Sequence, residues 1–355
     1  MTAPAAQNLD YDMTPEEGRA RTLVTAARTA VAHGDQLLAS HLYRRAGNLF
    51  KLDRRWQWAG IAYQEAGERK APFEVDARPD PSLTLAARQG TAIGLLKTAS
   101  DCFVKDDNPH EAVGCLQTAA ELLMDGGDFT TSAGYFTALG LMVAPLHVDA
   151  GIRFYEKAVR LHEAATGWYG RLCARPALLG IGELLAQKGD YTAAINHFEG
   201  LIKHHAKEIP GSEIGSGYSG SGAALTVSAA YFRAVLCYLC RDGPVAAQEA
   251  VQQWDATLPP AGTAYNPERH IMRHAMGTAE NRFTAANVAR VLRPASSGSS
   301  SVHYAAGFGQ MLANPLDNYE FADLRGVYPR LEPWARMMLE RALRLLRDVE
   351  DEGHR

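Results

Sequence analysis

The chain has 355 residues, of which 46% are hydrophobic and 21% charged, and its formal net charge is −4 at pH 7. This composition excludes a fibrous protein and a largely disordered chain. The weakly negative charge provides no general basic field, so we expect no nucleic-acid partner. Five cysteines and an acidic N-terminus without a long apolar run predict free thiols in a reducing compartment, and we therefore expect a cytoplasmic protein.

The first predicted helix begins near Thr14, after a segment (residues 1–13) that we expect to be disordered. In Thr14-Pro15-Glu16-Glu17 the proline suits the first helical turn, and the acids suit the positive end of the helix dipole. From Ala20 onward the chain repeats one template at intervals of about 20 residues. The template is a small residue, a large one four positions later, and a compact or apolar one three positions after that.

The large residue at the centre of the template occurs eleven times before residue 258. These central residues are Val24, Tyr43, Tyr63, Leu96, Leu116, Phe136, Tyr155, Leu178, Phe198, Phe232 and Val251. A spacing of four and then three residues puts each template on one stripe of an α-helix. Two of the intervals are longer, and each contains a loop-forming insertion, Lys70–Ser82 with three prolines and the Gly/Ser-rich Pro210–Gly222.

One helix per 20 residues, or about 40 residues per helix pair, is typical of tetratricopeptide-like repeats. We therefore predict an all-α fold, a tetratricopeptide-like right-handed helical solenoid over residues 14–258 with a C-terminal helical bundle over residues 259–348. Within that bundle we predict a helix over Pro267–Ala289, an inserted loop over residues 292–303, and a final helix from Pro333. The final helix would bury a stripe of Trp334, Met338, Ala342 and Leu345, and residues 349–355 would form an acidic tail.

Two pairs of residues have the spacing of metal ligands. Cys237 and Cys240 lie inside a predicted helix with no second pair at finger spacing, which favours two packed cysteines. His270 and His274 share one helix face but lack the glutamate of a zinc-protease motif, which favours a solvated surface. The sequence therefore predicts no metal, no cofactor and no enzyme, and a zinc enzyme using the two histidines remains a third hypothesis.

Several segments resemble the soluble NSF attachment proteins (SNAPs), in particular the alpha type. The resemblance is carried by Leu42–Glu68, Asp101–Phe129, Tyr231–Asp242 and the Leu331-Glu-Pro-Trp334 opening of the last helix. The family also carries a Cys-x-x-Cys pair inside a helix. The resemblance covers residues 16–258 and 316–352, and it depends on the order and spacing of these segments.

The resemblance implies an adaptor that lies along the four-helix bundle of an assembled SNARE complex and presents it to NSF, a hexameric AAA ATPase. It would be peripheral to membranes through SNARE complexes. The basic residues that the resemblance assigns to SNARE binding are Lys51, Arg54, Arg55, Lys105 and Arg175. The residues that it assigns to NSF binding are Asp242, Glu280, Glu350, Asp351, Glu352 and His354.

Three departures from the family pattern accompany the resemblance. Two lysines of the family fall on Gly134 and Pro176 here, and the leucine that the family has near its C-terminus is His354. The membrane-contacting loop of the family is aromatic, whereas this chain offers only Leu37 and Leu38, so we expect weak or no direct membrane binding. The alternative to a SNARE adaptor is a helical-repeat scaffold that binds other protein partners.

Overall fold

The computed structural model describes residues 14–73, 91–165, 168–207, 219–257, 272, 275–276, 284–292 and 333–352. Eleven α-helices precede residue 258 in these ranges: α1 (Pro15–Ala32), α2 (Gln36–Leu52), α3 (Trp56–Lys70), α4 (Ala92–Lys105), α5 (Pro109–Asp125), α6 (Phe129–Val143), α7 (Val148–Ala164), α8 (Trp168–Gln187), α9 (Tyr191–Ala206), α10 (Ser219–Arg241) and α11 (Pro244–Thr257). They are followed by α12 (Ala285–Leu292) and α13 (Pro333–Glu352). The described residues contain no β-strand, and the predicted all-α fold is confirmed.

Short turns with capping side chains separate most of these helices. Asp35, Asn108, Asp128 and Asp190 each accept a hydrogen bond from the backbone N–H three residues later, at the start of α2, α5, α6 and α9. This side-chain bond satisfies a donor that the first helical turn leaves without a partner. The capping residues explain why the helices begin at regular intervals.

The repeat template packs consecutive helices against one another. Nine of its eleven central residues are buried, and Val24 and Leu178 are half-buried. Phe136 and Phe198 are fully buried, as the template predicts. Helices α3 and α4 are antiparallel, because Gly60 lies against Phe103 whereas Gly67, later in α3, lies against Leu96, earlier in α4. The eleven predicted helices are therefore confirmed together with the stripe that joins them.

The chain divides into two compact units, Met1–Ile181 and Gly182–Arg355. In the first unit the core is a continuous set of buried alanine, aromatic and aliphatic residues from α1 to α5. In the second unit α10 is buried over most of its length, and α13 packs against it. The boundaries at 258 and 349 that the sequence suggests stay predictions.

Three sequence expectations need correction near the C-terminus and in the second insertion. The final helix buries Met338 and Ala342, but Leu345 is exposed and Leu346 is buried instead. At about 100° per residue, Leu346 lies closer than Leu345 to the line through the buried positions of α13.

Thr284 lies outside a helix and caps α12, so the prediction of one continuous helix over Pro267–Ala289 is wrong. Helix α10 begins at Ser219, inside the predicted Pro210–Gly222 loop.

Candidate protein-interaction surfaces

A group of cations lies where α2 and α4 end. Lys51 and Lys105 are exposed in the last turns of these two helices. Burial raises the pKa of the Cys102 thiol on α4, and the charges of Lys51 and Lys105 oppose that rise. Lys105 Nζ lies 4.5 Å from the centroid of the Trp56 ring, a cation–π contact that holds the lysine at the start of α3. Lys105 therefore lies against a residue only five positions after Lys51, although the two lysines are 54 positions apart in the sequence.

The turn between α2 and α3 adds two arginines with different surroundings. Arg54 is exposed and has a φ of 56°, the left-handed conformation that a three-residue turn requires at its centre. Arg55 is half-buried, and its guanidinium lies 3.1 Å from a carboxylate oxygen of the buried Glu17 and 3.4 Å from Asp53. The charge of Arg55 is thus largely compensated within the chain, whereas Lys51, Arg54 and Lys105 present theirs to solvent. We call these three residues the cationic cluster.

The fifth residue assigned to SNARE binding lies elsewhere. Arg175 is half-buried on α8 and makes contacts within the protein. Its neighbour Pro176 is exposed, as is Gly134 on α6, and a Cβ atom added to Gly134 would have no heavy atom within 4 Å. The two positions that the resemblance aligns with lysines of the family are therefore exposed and uncharged here.

The acidic residues assigned to NSF binding are only partly described. Asp242 is exposed directly after α10 and forms two hydrogen bonds with Arg241, at 2.9 and 2.6 Å. These hydrogen bonds hold the pKa of Asp242 below its usual range. The backbone of residues 350–352 completes α13, while the side chains of Glu350, Asp351 and Glu352, and all of Glu280 and His354, lie outside the described residues.

The two leucines assigned to membrane contact belong to a helix. Leu37 and Leu38 lie in the first turn of α2 and are 51% and 46% exposed. Asp35 accepts a hydrogen bond from the backbone N–H of Leu38 at 2.9 Å, which fixes this turn. The loop itself is only the three residues His33 to Asp35. Within the part of the chain that the structure describes, no helix is long and apolar enough to cross a bilayer.

The cysteine pair is part of the core. Cys237 and Cys240 are buried in α10, and the Cys240 thiol donates to the Met338 carbonyl of α13 at 3.5 Å. Burial raises the pKa of Cys240 to about 11 and the pKa of Cys237 further still. The prediction of packed cysteines is confirmed. No group of three or more metal-binding side chains occurs among the described residues, and His270 and His274 lie outside them.

Several interaction residues could not be identified from their position in the sequence. Trp56 contacts Lys105, and the buried Glu17 pairs with Arg55, although nothing in the sequence assigns these partners to one another. Leu52 on α2 and Leu141 on α6 are exposed although they belong to helices with a well-packed stripe. Helical phase does carry a signal for these two, because both fall opposite the repeat template of their helix.

Comparisons with known proteins agree with the resemblance. A family model described as soluble NSF attachment protein, SNAP, matches residues 36–261. The chain is 28% identical over 234 residues to the alpha-soluble NSF attachment protein of Mus musculus and 26% identical over 234 residues to the beta-soluble NSF attachment protein of Bos taurus; each match covers 62% of this chain and 65% of the relative.

A more distant relative comes from a fungus. The probable vesicular-fusion protein sec17 homolog of Schizosaccharomyces pombe is 23% identical over 220 residues, which cover 61% of this chain and 65% of the relative. The chain thus spans slightly less than two thirds of the length of each of these relatives. The family model, by contrast, covers well over half of the chain, including α2 to α11. The chain therefore belongs to the soluble NSF attachment protein family.

Proposed function

We propose that this protein is an adaptor that links assembled SNARE complexes to an NSF-type AAA ATPase during vesicle fusion. The family membership carries the proposal, and the cationic cluster supports it. The cluster provides three solvent-exposed cations at the ends of α2 and α4, the helices on either side of α3, and this is a suitable surface for an acidic helical bundle. Complementary charges of this kind guide the encounter and fix the register of a complex more than they set its affinity.

The adaptor needs no catalytic chemistry of its own. Its work is to hold two partners at once, the SNARE four-helix bundle at the cationic cluster, Arg55 and Arg175, and the ATPase at the acidic residues Asp242, Glu280 and Glu350 to Glu352. The protein would be cytoplasmic and reach membranes through SNARE complexes. Leu37 and Leu38 support only weak direct membrane binding, because their turn is short and Asp35 opposes an anionic surface.

Recruitment of the ATPase tests this proposal. Assembled SNARE complex is immobilised, and an NSF-type ATPase is added with ATP analogue in the presence or absence of the chain. We expect retention of the ATPase only when the chain is present. Retention that is independent of the chain, or no retention at all, would overturn the proposal.

The C-terminal acids allow a sharper version of this experiment. Replacing Glu350, Asp351 and Glu352 by lysine should slow association with the ATPase and reduce its salt dependence, because rim charges act mainly on the encounter. The variant His354→Leu restores the apolar residue of the family near the C-terminus, and we expect it to raise ATP hydrolysis by the partner. Equal ATPase rates for the native chain and both variants would show that the tail contributes only to solubility.

The alternative is a helical-repeat scaffold that keeps the fold but binds other protein partners. The exposed, uncharged Gly134 and Pro176 favour this alternative, because they lie where the family carries lysines. Capture of an unrelated helical complex by the chain, combined with failure to retain the ATPase on SNARE complexes, would select it.

A further inference from the structure

Each of three parallel helices in the first unit carries an exposed aliphatic residue in its last turn. These residues are Leu52 on α2, Val104 on α4 and Leu141 on α6, with exposed fractions of 75%, 53% and 70%. Leu52 and Leu141 are the two most exposed large apolar side chains among the described residues. We call the three residues the aliphatic row.

The three helices point the same way because each is antiparallel to its neighbours. Gly47 of α2 lies against Tyr63 of α3. Ser40, earlier in α2, donates from its hydroxyl to the carbonyl of Ala66, which is later in α3, so the two helices are antiparallel. Helices α4 and α5 are joined by a three-residue turn and pack against each other. The Ser132 hydroxyl near the start of α6 donates to the Ala120 carbonyl of α5. The last turns of α2, α4 and α6 therefore lie along the same edge of the helical layer.

The ends of α2 and α4 carry both kinds of side chain. Leu52 directly follows Lys51, and Val104 directly precedes Lys105. Lys105 Nζ lies 4.5 Å from the centroid of the Trp56 ring, four positions after Leu52. The aliphatic row thus lies on the surface that also carries the cationic cluster.

Charge changes along this surface from α2 to α6. Helix α2 contains no acidic residue, and Lys51 follows Arg44 and Arg45 along it. Helix α6 contains no charged residue at all in its 15 positions, and its exposed stripe is Thr131, Gly134, Ala138 and Leu141. A partner that is acidic over α2 and apolar over α6 would therefore complement both helices.

We infer that the aliphatic row makes apolar contacts with the same acidic helical bundle that the cationic cluster binds, and that these contacts substitute for the lysine that the resemblance expects at position 134 on α6. This inference rests on the proposed function. Opposite charges select and orient the bundle, while burial of leucine and valine side chains on binding adds affinity that salt does not screen. The uncharged surface of α6 permits this contact because it carries no ion that the bundle would have to desolvate.

Salt-dependent binding to a purified, assembled SNARE four-helix complex without membrane anchors tests the inference. The full chain is compared with the double variant Leu52→Gln/Leu141→Gln, in which glutamine keeps the length and the helix propensity but removes the apolar contact. We expect binding to weaken roughly ten-fold, about 1.4 kcal/mol, at both low and high salt, with an unchanged salt slope. The variant Lys51→Gln/Lys105→Gln should instead lose affinity at low salt and show a flatter slope.

A matched control is available on another helix. Val245 on α11 is 68% exposed, a fraction similar to the 70% of Leu141. The variant Val245→Gln therefore controls for the loss of an exposed aliphatic residue as such. We expect this variant to bind like the native chain. Equal weakening by Val245→Gln would overturn the inference, because the effect would then be independent of the aliphatic row.

The remaining outcomes separate the inference from the proposed function. If the leucine variant binds like the native chain while the lysine variant is weakened, the inference is wrong and the adaptor function stands. If neither variant is weakened, both are wrong. If the leucine variant keeps SNARE binding but loses co-sedimentation with vesicles of phosphatidylcholine and phosphatidylserine, the row contacts lipid, which also overturns the inference.

Discussion

The two units of the chain hold their helices together by different means. In the first unit, aromatic rings lie directly on glycines of the neighbouring helix, as with Phe103 against Gly60 and Tyr155 against Gly140. Among the described residues of the second unit there is one such contact, Phe198 against Gly182, together with buried polar contacts between distant segments. The first arrangement follows from a local repeat, whereas the second depends on residues far apart in the chain.

The polar contacts of the second unit gather around one arginine. Arg233 is buried in α10, and its Nε lies 2.6 Å from a carboxylate oxygen of Glu183 on α8. The Trp334 indole of α13 donates to the Glu183 carbonyl at 3.1 Å across 151 residues, and Arg233 lies 5.9 Å from the Trp334 ring centroid. Helix α13 is therefore attached through specific hydrogen bonds as well as through apolar packing.

The largest effect on stability should come from removing a buried aromatic ring in the first unit. Phe136 is fully buried, so Phe136→Ala should lower the free energy of unfolding by about 3–5 kcal/mol, because it removes the ring and leaves a cavity. Urea unfolding followed by circular dichroism measures the change. Phe129, at the exposed start of the same helix, is the matched control, and an equal loss for Phe129→Ala would contradict the assigned stripe.

Breaking the ion pair of the second unit should cost somewhat less. Arg233→Met removes the guanidinium that lies against the Glu183 carboxylate, and we expect the free energy of unfolding to fall by about 2–3 kcal/mol because the carboxylate keeps partial access to water. Amide hydrogen exchange should become faster in α13 and stay unchanged in α2 to α4. The double variant Arg233→Met/Glu183→Leu should recover most of the loss, and unchanged exchange in α13 would refute its attachment through this pair.

A smaller effect tests the close approach of helices in the first unit. A Cβ atom at Gly60 would lie 2.8 Å from the Phe103 ring, so Gly60→Ala should destabilise the protein by about 1–3 kcal/mol. Gly114 on α5 has open space around it, and Gly114→Ala should stabilise by up to about 1 kcal/mol through helix propensity. Thermal unfolding that shifts both variants in the same direction would argue against the contact.

The smallest predicted effect is a pH dependence within the first unit. His162 is buried on α7, and burial lowers the pKa of its imidazole below 6.5. The unfolded chain therefore binds a proton at this residue more readily than the folded one, so stability should decrease as the pH falls through 6.5 and level off below the folded pKa. His162→Phe should make the midpoint of urea unfolding less dependent on pH across this range. A pH profile equal to that of the native chain would show that His162 does not cause the dependence.

Much of the fold could be predicted because the information is local. The template at intervals of about 20 residues identifies the eleven helices that the structure describes up to Thr257, and aspartate or asparagine caps mark several of their starts. The phase of the last helix was wrong by one residue at Leu345, since a single apolar stripe leaves its edge poorly defined. The pairing of Trp334 with Glu183 had no sequence signal, because nothing local specifies a contact across 151 residues.

The interaction surface was less predictable than the fold. Lys51, Arg54 and Lys105 could be named from the resemblance, and the antiparallel helices then bring two of them to one end. Arg55 looks equivalent in sequence, but only the structure shows that Glu17, 38 residues earlier, compensates its charge. Helical phase places Leu52 and Leu141 opposite the repeat template, but packing decides whether that face of each helix stays uncovered.

The most direct test of the adaptor function is the disassembly of SNARE complexes. Fluorescently labelled, assembled complex is mixed with an NSF-type ATPase and ATP, with and without the full chain, and separation of the labels is followed over time. We predict disassembly that requires the chain and is slowed by Lys51→Glu/Lys105→Glu, while Gly114→Ala leaves it unchanged. Complexes that stay assembled at saturating concentrations of the native chain would contradict the account.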